Sequence, residues 1–445
     1  MTEVARPIVE VQSETDALRT VPNAEDKNGA PATKALDGKR IRLCLKDLYH
    51  QDVVEMIERE TRRYELHSIE HPSHPDFERS YRILWDAFGP QGEMEPEPVV
   101  RSFLLDDPFE PISSGTFFRY FMIVAMDREG NLRGVRDGTV LVNPAYAPDL
   151  CLVYLSHIFM LPEARGTVLT YWLRIAPLEV AVQYLFDLHG RGLLPLPAPE
   201  SPSKYFGMKV NLAAEMEYFS PEDRLSLQRI LFYGRGGFDV IDPRHFPYRQ
   251  PDFRAPAVIE ETGNRPIPFM LLLRRVGRER QARLPIDEAS AVMRLLYDDF
   301  ACFCEGNHLK DSLDGVLDRL AKRREKGRSD VALLPLPTGG RNLQRLRRLF
   351  RYDVYQRHYP DAPGTERYRD EMHERLTAHP HWFEEELTHL AAELEKSPRY
   401  VYGSRDQRFL VDAMPALLAE TDDVAPTAGS TSGPAGTAGT SASRS

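Results

Sequence analysis

Cysteine is scarce in this chain, with four among 445 residues. The four lie at positions 44, 151, 302 and 304, too few and too scattered for the disulfide framework of a small secreted protein. No apolar run approaches the roughly 18 residues that cross a bilayer. The N-terminal stretch MTEVARPIVEVQSETD has no apolar core of the kind found in secretory signals. We therefore expect a cytoplasmic protein without a membrane span.

Basic charge is also in deficit, because 57 Lys and Arg residues face 67 Asp and Glu residues, for a net charge of −10. This balance argues against nucleic acid as the main partner. The sequence has no G-x-S-x-G, H-E-x-x-H or P-loop pattern. Its histidine clusters, at 67, 71 and 74 and at 379, 381 and 389, lack the spacing of metal ligands. We expect no bound metal.

The composition still allows a substantial core, because 42% of the residues are hydrophobic. At roughly 150 residues per domain, the length allows two or three domains. Residues 1–40 and the Ser/Thr/Gly/Ala/Pro-rich residues 420–445 show no periodic apolar face and are predicted to be disordered. Alternating strand and helix patterns predict an α/β domain over residues 41–280. Helical periodicity predicts an α-helical C-terminal region over residues 281–419.

Apolar residues with a period of 2 or 3.6 predict the individual elements. The predicted strands are residues 41–45, 64–69, 119–126, 132–142, 150–161, 210–219, 238–241 and 269–276. The predicted helices of the α/β part are residues 48–62, 77–88, about 166–188 and 225–233. Further helices are predicted at 287–304, 309–326, 342–355, 368–376 and 382–394. The nearly all-apolar run at 150–161 is typical of a strand buried on both faces.

Two sequence motifs follow one another along this pattern of strands and helices. Leu155–Leu173 (LSHIFMLPEARGTVLTYWL) is a strand that ends in a P-x-x-R-G turn and opens a helix. Leu231–Phe238 (LFYGRGGF) closes a later helix and starts the next strand. The segment from Ile41 to Val276 thereby resembles the GNAT superfamily of N-acetyltransferases, which transfer acyl groups from acyl-CoA to amines. The resemblance implies an α/β (α+β) fold with a mixed, mostly antiparallel central sheet flanked by helices, here followed by the helical C-terminal region.

The resemblance also implies a site for acetyl-CoA or another acyl-CoA as co-substrate. A helix N-terminus presents free N–H groups and partial positive charge, which suit a pyrophosphate. The predicted contacts are the turn residues Arg165, Gly166, Thr167, Val168, Leu169 and Thr170, and, for the pantetheine arm, the backbone of Ile158, Phe159 and Met160. Family members carry small residues where this chain has Val168 and Thr170. A helix whose cofactor site has been lost is therefore an open alternative.

Four residues are candidates for the chemistry. Tyr233 occupies the position of the family's tyrosine that protonates the leaving thiolate, a role that suits a phenol with a pKa near 10. Glu215 and Glu217 share one face of a strand and are candidate bases, acting directly or through a water. His157, on the buried strand, is a second candidate base. Ordinary packing of the aromatic and histidine side chains, and solvation of the glutamates, are the simpler alternatives.

A basic stretch over residues 319–351 stands out in this acidic chain. It suits an acidic partner, the 3′-phosphate of CoA or an anionic lipid surface, whereas a solvated, salt-bridged helix face is the simpler interpretation. Our leading hypothesis is an N-acyltransferase that acts on a small-molecule or protein amine. Two alternatives remain open: a non-catalytic GNAT-like binding module, and a relative of the acyl-carrier-protein-dependent N-acyl amino acid synthases.

Overall fold

A single mixed β-sheet runs through the part of the chain that the computed structural model describes. That part comprises residues 62–89, 93–165, 167, 169–194, 208–219, 224–246, 248–254, 256–279, 281–304, 307–350 and 365–396. The predicted strand at 41–45, nearly all of the predicted helix at 48–62, and the predicted disordered ends at 1–40 and 420–445 lie outside the described residues.

Ten strands form this sheet. They are β1 (Tyr64–Ile69), β2 (Phe117–Asp127), β3 (Leu132–Val142), β4 (Leu150–Tyr154), β5 (Ile158–Met160), β6 (Lys209–Met216), β7 (Asp239–Ile241), β8 (Met270–Arg275), β9 (Arg283–Pro285) and β10 (Asp330–Pro335). Their order is β1-β2-β3-β4-β6-β8-β7-β10-β9, with β5 paired to β3. The pair β4 and β6 is parallel and the other pairs are antiparallel.

Helices cover both faces of the sheet. They are α1 (Phe77–Phe88), α2 (Glu97–Leu105), α3 (Leu169–Gly190), α4 (Arg224–Arg235), α5 (Pro256–Thr262), α6 (Ile286–Phe300), α7 (Asn307–Glu325), α8 (Thr365–Ala378) and α9 (Trp382–Lys396). Short 3₁₀ helices span Pro162–Ala164 and Gly340–Arg348. The predicted fold class, a mostly antiparallel sheet flanked by helices with a helical C-terminal region, is confirmed.

Two hydrophobic cores lie on the two faces of the sheet. The first core contains buried residues of α3, α4 and α9 together with one side of the strands. The second core contains buried residues of α1, α2, α6 and α7 together with the other side. Helix α1 shows how the sequence builds this layer: Phe77, Tyr81 and Leu84 recur at helical spacing, and all three are buried. The sheet therefore separates two hydrophobic cores.

The structure corrects the prediction of one continuous strand over residues 150–161. This run is divided into β4 and β5, with residues 155–157 between them. The predicted helix over 342–355 is a 3₁₀ helix where it is described. Strands β9 and β10 add residues from beyond the predicted α/β domain to the sheet. The domain boundary near residue 280 stays a prediction.

Candidate active site

The sheet opens between β5 and β6. Strand β4 pairs with β6 as far as Tyr154 and Ala213, and the Leu155 N–H donates a last hydrogen bond to the Ala213 carbonyl at 2.9 Å. Beyond that point β5 pairs with β3, while Glu215 and Met216 of β6 pair with β8. Past this point the two neighbouring strand backbones are no longer hydrogen-bonded to each other. The gap between β5 and β6 is the candidate site.

An aspartate on β3 holds the break between β4 and β5 in place. Asp137 Oδ1 accepts the backbone N–H of His157 at 2.8 Å, and the Asp137 N–H donates to the His157 carbonyl at 3.2 Å. Tyr120 donates its hydroxyl proton to Asp137 Oδ2 at 2.9 Å. Because the Asp137 carboxylate takes a main-chain bond that a sheet neighbour would otherwise take, β5 is drawn toward β3 and away from β6.

The His157 ring is held between two acceptors. Its Nδ1–H donates to Asp137 Oδ1 at 3.0 Å, and its Nε2–H donates to the carbonyl oxygen of Glu93 at 2.6 Å. A carbonyl only accepts, so both ring nitrogens carry protons in this arrangement. Burial opposes the charged form, but the Asp137 carboxylate, with Glu95 nearby, outweighs burial and raises the pKa of His157 to about 9. The ring is a buried imidazolium at neutral pH.

The carboxylate of Glu215 lies where β6 has left β4. It accepts hydrogen bonds from the Tyr154 hydroxyl at 2.6 Å, from Gln250 Nε2 at 2.9 Å and from the Tyr248 hydroxyl. Burial raises the pKa of Glu215 above its ordinary value, and these three donors offset part of that rise. The result is a carboxylate whose affinity for a proton is higher than that of a glutamate in water.

Glu217 lies in different surroundings although it is only two residues farther along the chain. Its side chain is 31% exposed and pairs with Arg229 of α4. The structure therefore places the partly buried Glu215 and the buried His157 beside the gap, whereas Glu217 lies just beyond the end of β6 and is paired with Arg229.

Tyr233 is fixed by the way α4 ends. The Phe238 N–H bonds the Tyr233 carbonyl at 3.2 Å, and the Gly237 N–H bonds the Gly234 carbonyl at 3.0 Å. This is a Schellman motif, in which Gly237 takes the left-handed conformation with φ 75°. The Phe238 ring packs edge-on against Tyr233 with centroids 5.2 Å apart. The Y-x-x-x-G-F pattern is thus the structural requirement for ending the helix with the tyrosine buried in the first core.

Arg136 lies beside Tyr233, at the level of the gap. Arg136 lies on β3 opposite Ile158 of β5, and it is 0% exposed. Burial lowers the pKa of the Arg136 guanidinium, while the Tyr233 oxygen and the Asp137 carboxylate oppose that change. None of its three side-chain nitrogens has a hydrogen-bond partner within bonding distance among the described residues.

The turn that precedes α3 carries the predicted cofactor contacts. Arg165 folds back, so that its Nε donates to the Met160 carbonyl at 3.0 Å and its guanidinium lies 5.5 Å from the Phe159 ring centroid. Thr167 donates its hydroxyl proton to the Ala164 carbonyl at 2.7 Å, and Leu169 is buried in the first core. The Thr170 hydroxyl is buried without a partner among the described residues. Gly166 and Val168 lie outside the described residues.

These features are compatible with a CoA arm in the gap. The bonds of His157 and Leu161 to β3 imply, by strand alternation, that the polar backbone groups of Ile158 and Met160 face away from β3. The backbone polar groups of Phe159 then face β3. The Met160 carbonyl already accepts a hydrogen bond from Arg165. A free backbone edge, a helix N-terminus, the buried hydroxyl of Thr170 and a buried cation are groups that suit a pantetheine arm and its phosphates.

Four arginines of the basic stretch have partners within the chain. Arg324 pairs with Asp287 and Arg347 pairs with Glu384. Arg323 donates to the Asp330 carbonyl at 2.6 Å, and Arg345 donates to the Leu336 carbonyl at 2.9 Å. These contacts favour the salt-bridged interpretation, and they give no support to an acidic partner at this surface.

Sequence reasoning missed several residues of the site. Tyr248 and Gln250 come from a segment without a recognisable motif, and nothing in its pattern links it to Glu215. Arg136 and Asp137 did carry a signal, because they are adjacent charges inside an apolar strand (LRGVRDGTVLV). Charged residues are rarely fully buried unless they have a specific role.

The described residues contain no group of three or more His, Cys, Asp or Glu side chains arranged to hold a metal ion. No helix among them combines the length and the apolar character that a membrane crossing needs.

No protein-family model and no curated protein sequence matches the chain. Two crystal structures are similar at 17% identity. One, assigned as a phosphinothricin N-acetyltransferase, has a TM-score of 0.24 and covers 47% of this chain and 98% of its own. The other, a GNAT superfamily phosphinothricin acetyltransferase from Sinorhizobium meliloti in complex with AcCoA, has a TM-score of 0.17 and covers 36% of this chain and 62% of its own. They belong to the superfamily that the motifs resemble, but TM-scores this low add nothing to the fold described above.

Proposed function

We propose that the chain is an N-acyltransferase that moves an acyl group from acyl-CoA to an amine. The observation that carries this proposal is the gap between β5 and β6. Tyr233 and Arg136 belong to its α3/α4 face, whereas Glu215 belongs to the opposite face, beside Tyr154 and Tyr248. The residues that we propose as proton donor and proton acceptor thus lie on opposite faces of the sheet that contains the gap.

Glu215 is the proposed general base. An amine nucleophile must lose a proton when it forms an amide, and a carboxylate whose pKa is raised by burial binds that proton better than an ordinary one. The hydroxyls of Tyr154 and Tyr248 hold the carboxylate in a single orientation. Glu217 is not favoured for this role, because Arg229 neutralises it at the surface.

Tyr233 is the proposed general acid. Bound acyl-CoA supplies the acyl group: the amine nitrogen forms the new C–N bond with its lone pair, and the C–S bond breaks with its electron pair leaving on sulfur. Tyr233 donates its phenolic proton to that sulfur. The Schellman motif and the Phe238 ring restrict the movement of the phenol, which supports its placement for one fixed proton transfer.

His157 has a different proposed role from the base that the sequence suggested. Both ring nitrogens already donate hydrogen bonds, and its pKa of about 9 leaves no free lone pair at neutral pH. We assign it to holding Asp137 and Glu93 together, which keeps β5 apart from β6. It is a positioning residue.

The acceptor side of the gap is rich in carboxyl groups. Besides Glu215, the carboxyls of Asp137, Glu95 and Asp299 are close enough to influence one another, and burial raises the pKa of Asp299 to about 8. Asp299 is therefore largely uncharged near neutral pH, and Asp137 is paired with the His157 imidazolium, so this side of the gap suits an amine that arrives neutral and leaves its proton on Glu215.

The test is product identification. The purified chain is incubated with acetyl-CoA, or with longer acyl-CoAs, and a panel of primary amines, and the N-acylated product is identified by mass spectrometry. Calorimetric titration with CoA is run in parallel. Amine-dependent product supports the proposal. Tight CoA binding without any product would instead indicate a non-catalytic binding module, and the absence of both would contradict a CoA-dependent function.

A further inference from the structure

Arg136 is a buried cation that forms no ion pair within the part of the chain that the structure describes. Its neighbour Asp137 points to the opposite face of β3, where His157 and Tyr120 occupy its oxygens. Other buried arginines of the sheet are paired: Arg119 contacts Glu70, and Arg274 contacts Glu279. The Tyr233 phenol lies near the Arg136 guanidinium and acts on it electrostatically, but none of the three side-chain nitrogens makes a hydrogen bond of good geometry among the described residues.

A guanidinium in this position destabilises the fold. Removing a cation from water is costly, and the cost is normally offset by an anion or by several hydrogen-bond acceptors. Among the described residues the guanidinium has neither an ion pair nor a hydrogen bond, and only the nearby Asp137 carboxylate and Tyr233 oxygen offset part of the cost, so the packing of this part of the chain does not account for an arginine at position 136. An apolar side chain would fill the same space at lower cost. A group that carries negative charge and reaches this position during function would supply the missing partner.

The position of Arg136 indicates which negatively charged group would reach it during function. Arg136 lies on β3 opposite Ile158 of β5, which borders the gap. Its side chain lies beside Tyr233. Tyr233 is the residue that we propose as proton donor to sulfur. Any anion that contacts both side chains lies at the leaving-group end of the gap, on the face opposite to Glu215.

We propose that Arg136 is a further catalytic residue, which stabilises the negative charge that develops on the leaving sulfur as the C–S bond breaks. This inference rests on the proposed acyl transfer. The electron pair of the C–S bond goes to sulfur beside the guanidinium, Tyr233 then supplies the proton, and Glu215 holds the proton lost by the amine. Arg136 itself exchanges no proton and acts through charge alone.

The test combines stability with leaving-group dependence. Arg136→Met and Arg136→Lys are compared with the parent, and Arg119→Met serves as the matched control because Arg119 is a buried arginine with a counter-ion. Melting temperatures are measured without ligand. The second readout is kcat/KM for two acetyl thioesters with a common amine: S-acetyl-N-acetylcysteamine, which releases a poorly leaving alkyl thiolate, and S-acetyl-4-nitrothiophenol, which releases a stable aryl thiolate.

We expect Arg136→Met to melt no lower than the parent, whereas Arg119→Met melts lower because Glu70 is left unpaired. Arg136→Met should lose about 100-fold in kcat/KM with the alkyl thioester, and much less with the aryl thioester, whose sulfur needs little help. Arg136→Lys should recover part of the loss, because it keeps the charge.

Two results would overturn the inference alone: Arg136→Met melting as low as Arg119→Met, or an equal loss with both thioesters, in a parent that is active. A parent that releases no thiol from acetyl-CoA or from either thioester would overturn the acyltransferase function and this inference together.

Discussion

Glu215 and Glu217 show how much of the site is decided outside the local sequence. Strand periodicity predicts both carboxyl groups on one face of a strand over residues 210–219 and offers no means of choosing between them; in the structure β6 ends at Met216, and Glu217 lies just beyond it. The difference arises from Tyr248 and Gln250, which reach Glu215 from a distant segment, and from Arg229, which reaches Glu217 from α4. Contacts between residues far apart in the chain cannot be read from spacing.

The first prediction concerns these two glutamates. Glu215→Gln cannot accept a proton, so we expect its kcat/KM to fall by about 100-fold or more. Because burial raises the pKa of Glu215, the acid limb of the parent's pH–rate profile should lie above pH 4.5 and should disappear in this variant. Glu217→Gln is the matched control and should retain activity within a few-fold. Equal losses in the two variants would contradict the assignment of the base.

The second prediction concerns His157 and pH. Its pKa is raised from 6.5 to about 9 in the folded protein, so its contribution to stability is complete below pH 6.5, declines between pH 6.5 and 9, and is absent above pH 9. The size of this contribution is about 3 kcal/mol. Urea unfolding at pH 6 and pH 9.5 should show the parent losing about this much more than His157→Gln.

The comparison with His157→Gln is necessary, because the raised pKa of Asp299 also makes stability fall as the pH rises. That effect is common to both proteins and cancels in the difference. The same loss of stability in parent and variant would mean that His157 is not charged in the fold.

At the scale of the element, the sequence predicts what periodicity controls. The strand at 64–69, the helix at 77–88 and the strand at 132–142 have the predicted bounds. Elements that depend on contacts with distant parts of the chain were missed. The break between β4 and β5 depends on the Asp137 carboxylate, and the short β10 depends on its pairing with β7 and β9. Helix α2 was missed because Pro98 in its first turn resembles a break, although proline is tolerated there.

The third prediction tests the end of α4. Gly237 has φ 75°, where an alanine is strained, so Gly237→Ala should lower the free energy of unfolding by about 1 kcal/mol and disturb the placement of Tyr233. Gly315→Ala is the control, because Gly315 lies in the exposed interior of α7 with open space around it. That change should stabilise the protein by about 0.5–1 kcal/mol.

Both variants are measured by urea unfolding and by kcat/KM. We expect Gly237→Ala to lose activity as well as stability, and Gly315→Ala to keep full activity. A Gly237→Ala protein as stable and as active as the parent would show that the helix end does not position the tyrosine.

At the scale of the whole molecule, the gap is a property of the complete sheet. Strand β5 is held by β3 and β6 is held by β8, so neither side of the opening depends on its own sequence alone. The positions of the charged residues at the gap also depend on the assembled sheet. The net charge of −10 conceals a buried arginine on one face of the gap and, on the other, a partly buried glutamate whose pKa is raised by burial. Composition and local pattern indicated the class of fold, whereas this polarity appears only once the strands are assembled.

The most direct test of the account measures amine-dependent thiol release from acetyl-CoA by the parent and by Tyr233→Phe, together with the affinity of each for CoA. The phenyl ring keeps the packing against Phe238 and loses the hydroxyl, which is both the proposed proton donor and the polar neighbour of Arg136. The account predicts release that requires the amine, a loss of about 100-fold in kcat for Tyr233→Phe, and an unchanged dissociation constant for CoA. A variant as fast as the parent, or no amine-dependent release by the parent, would contradict it.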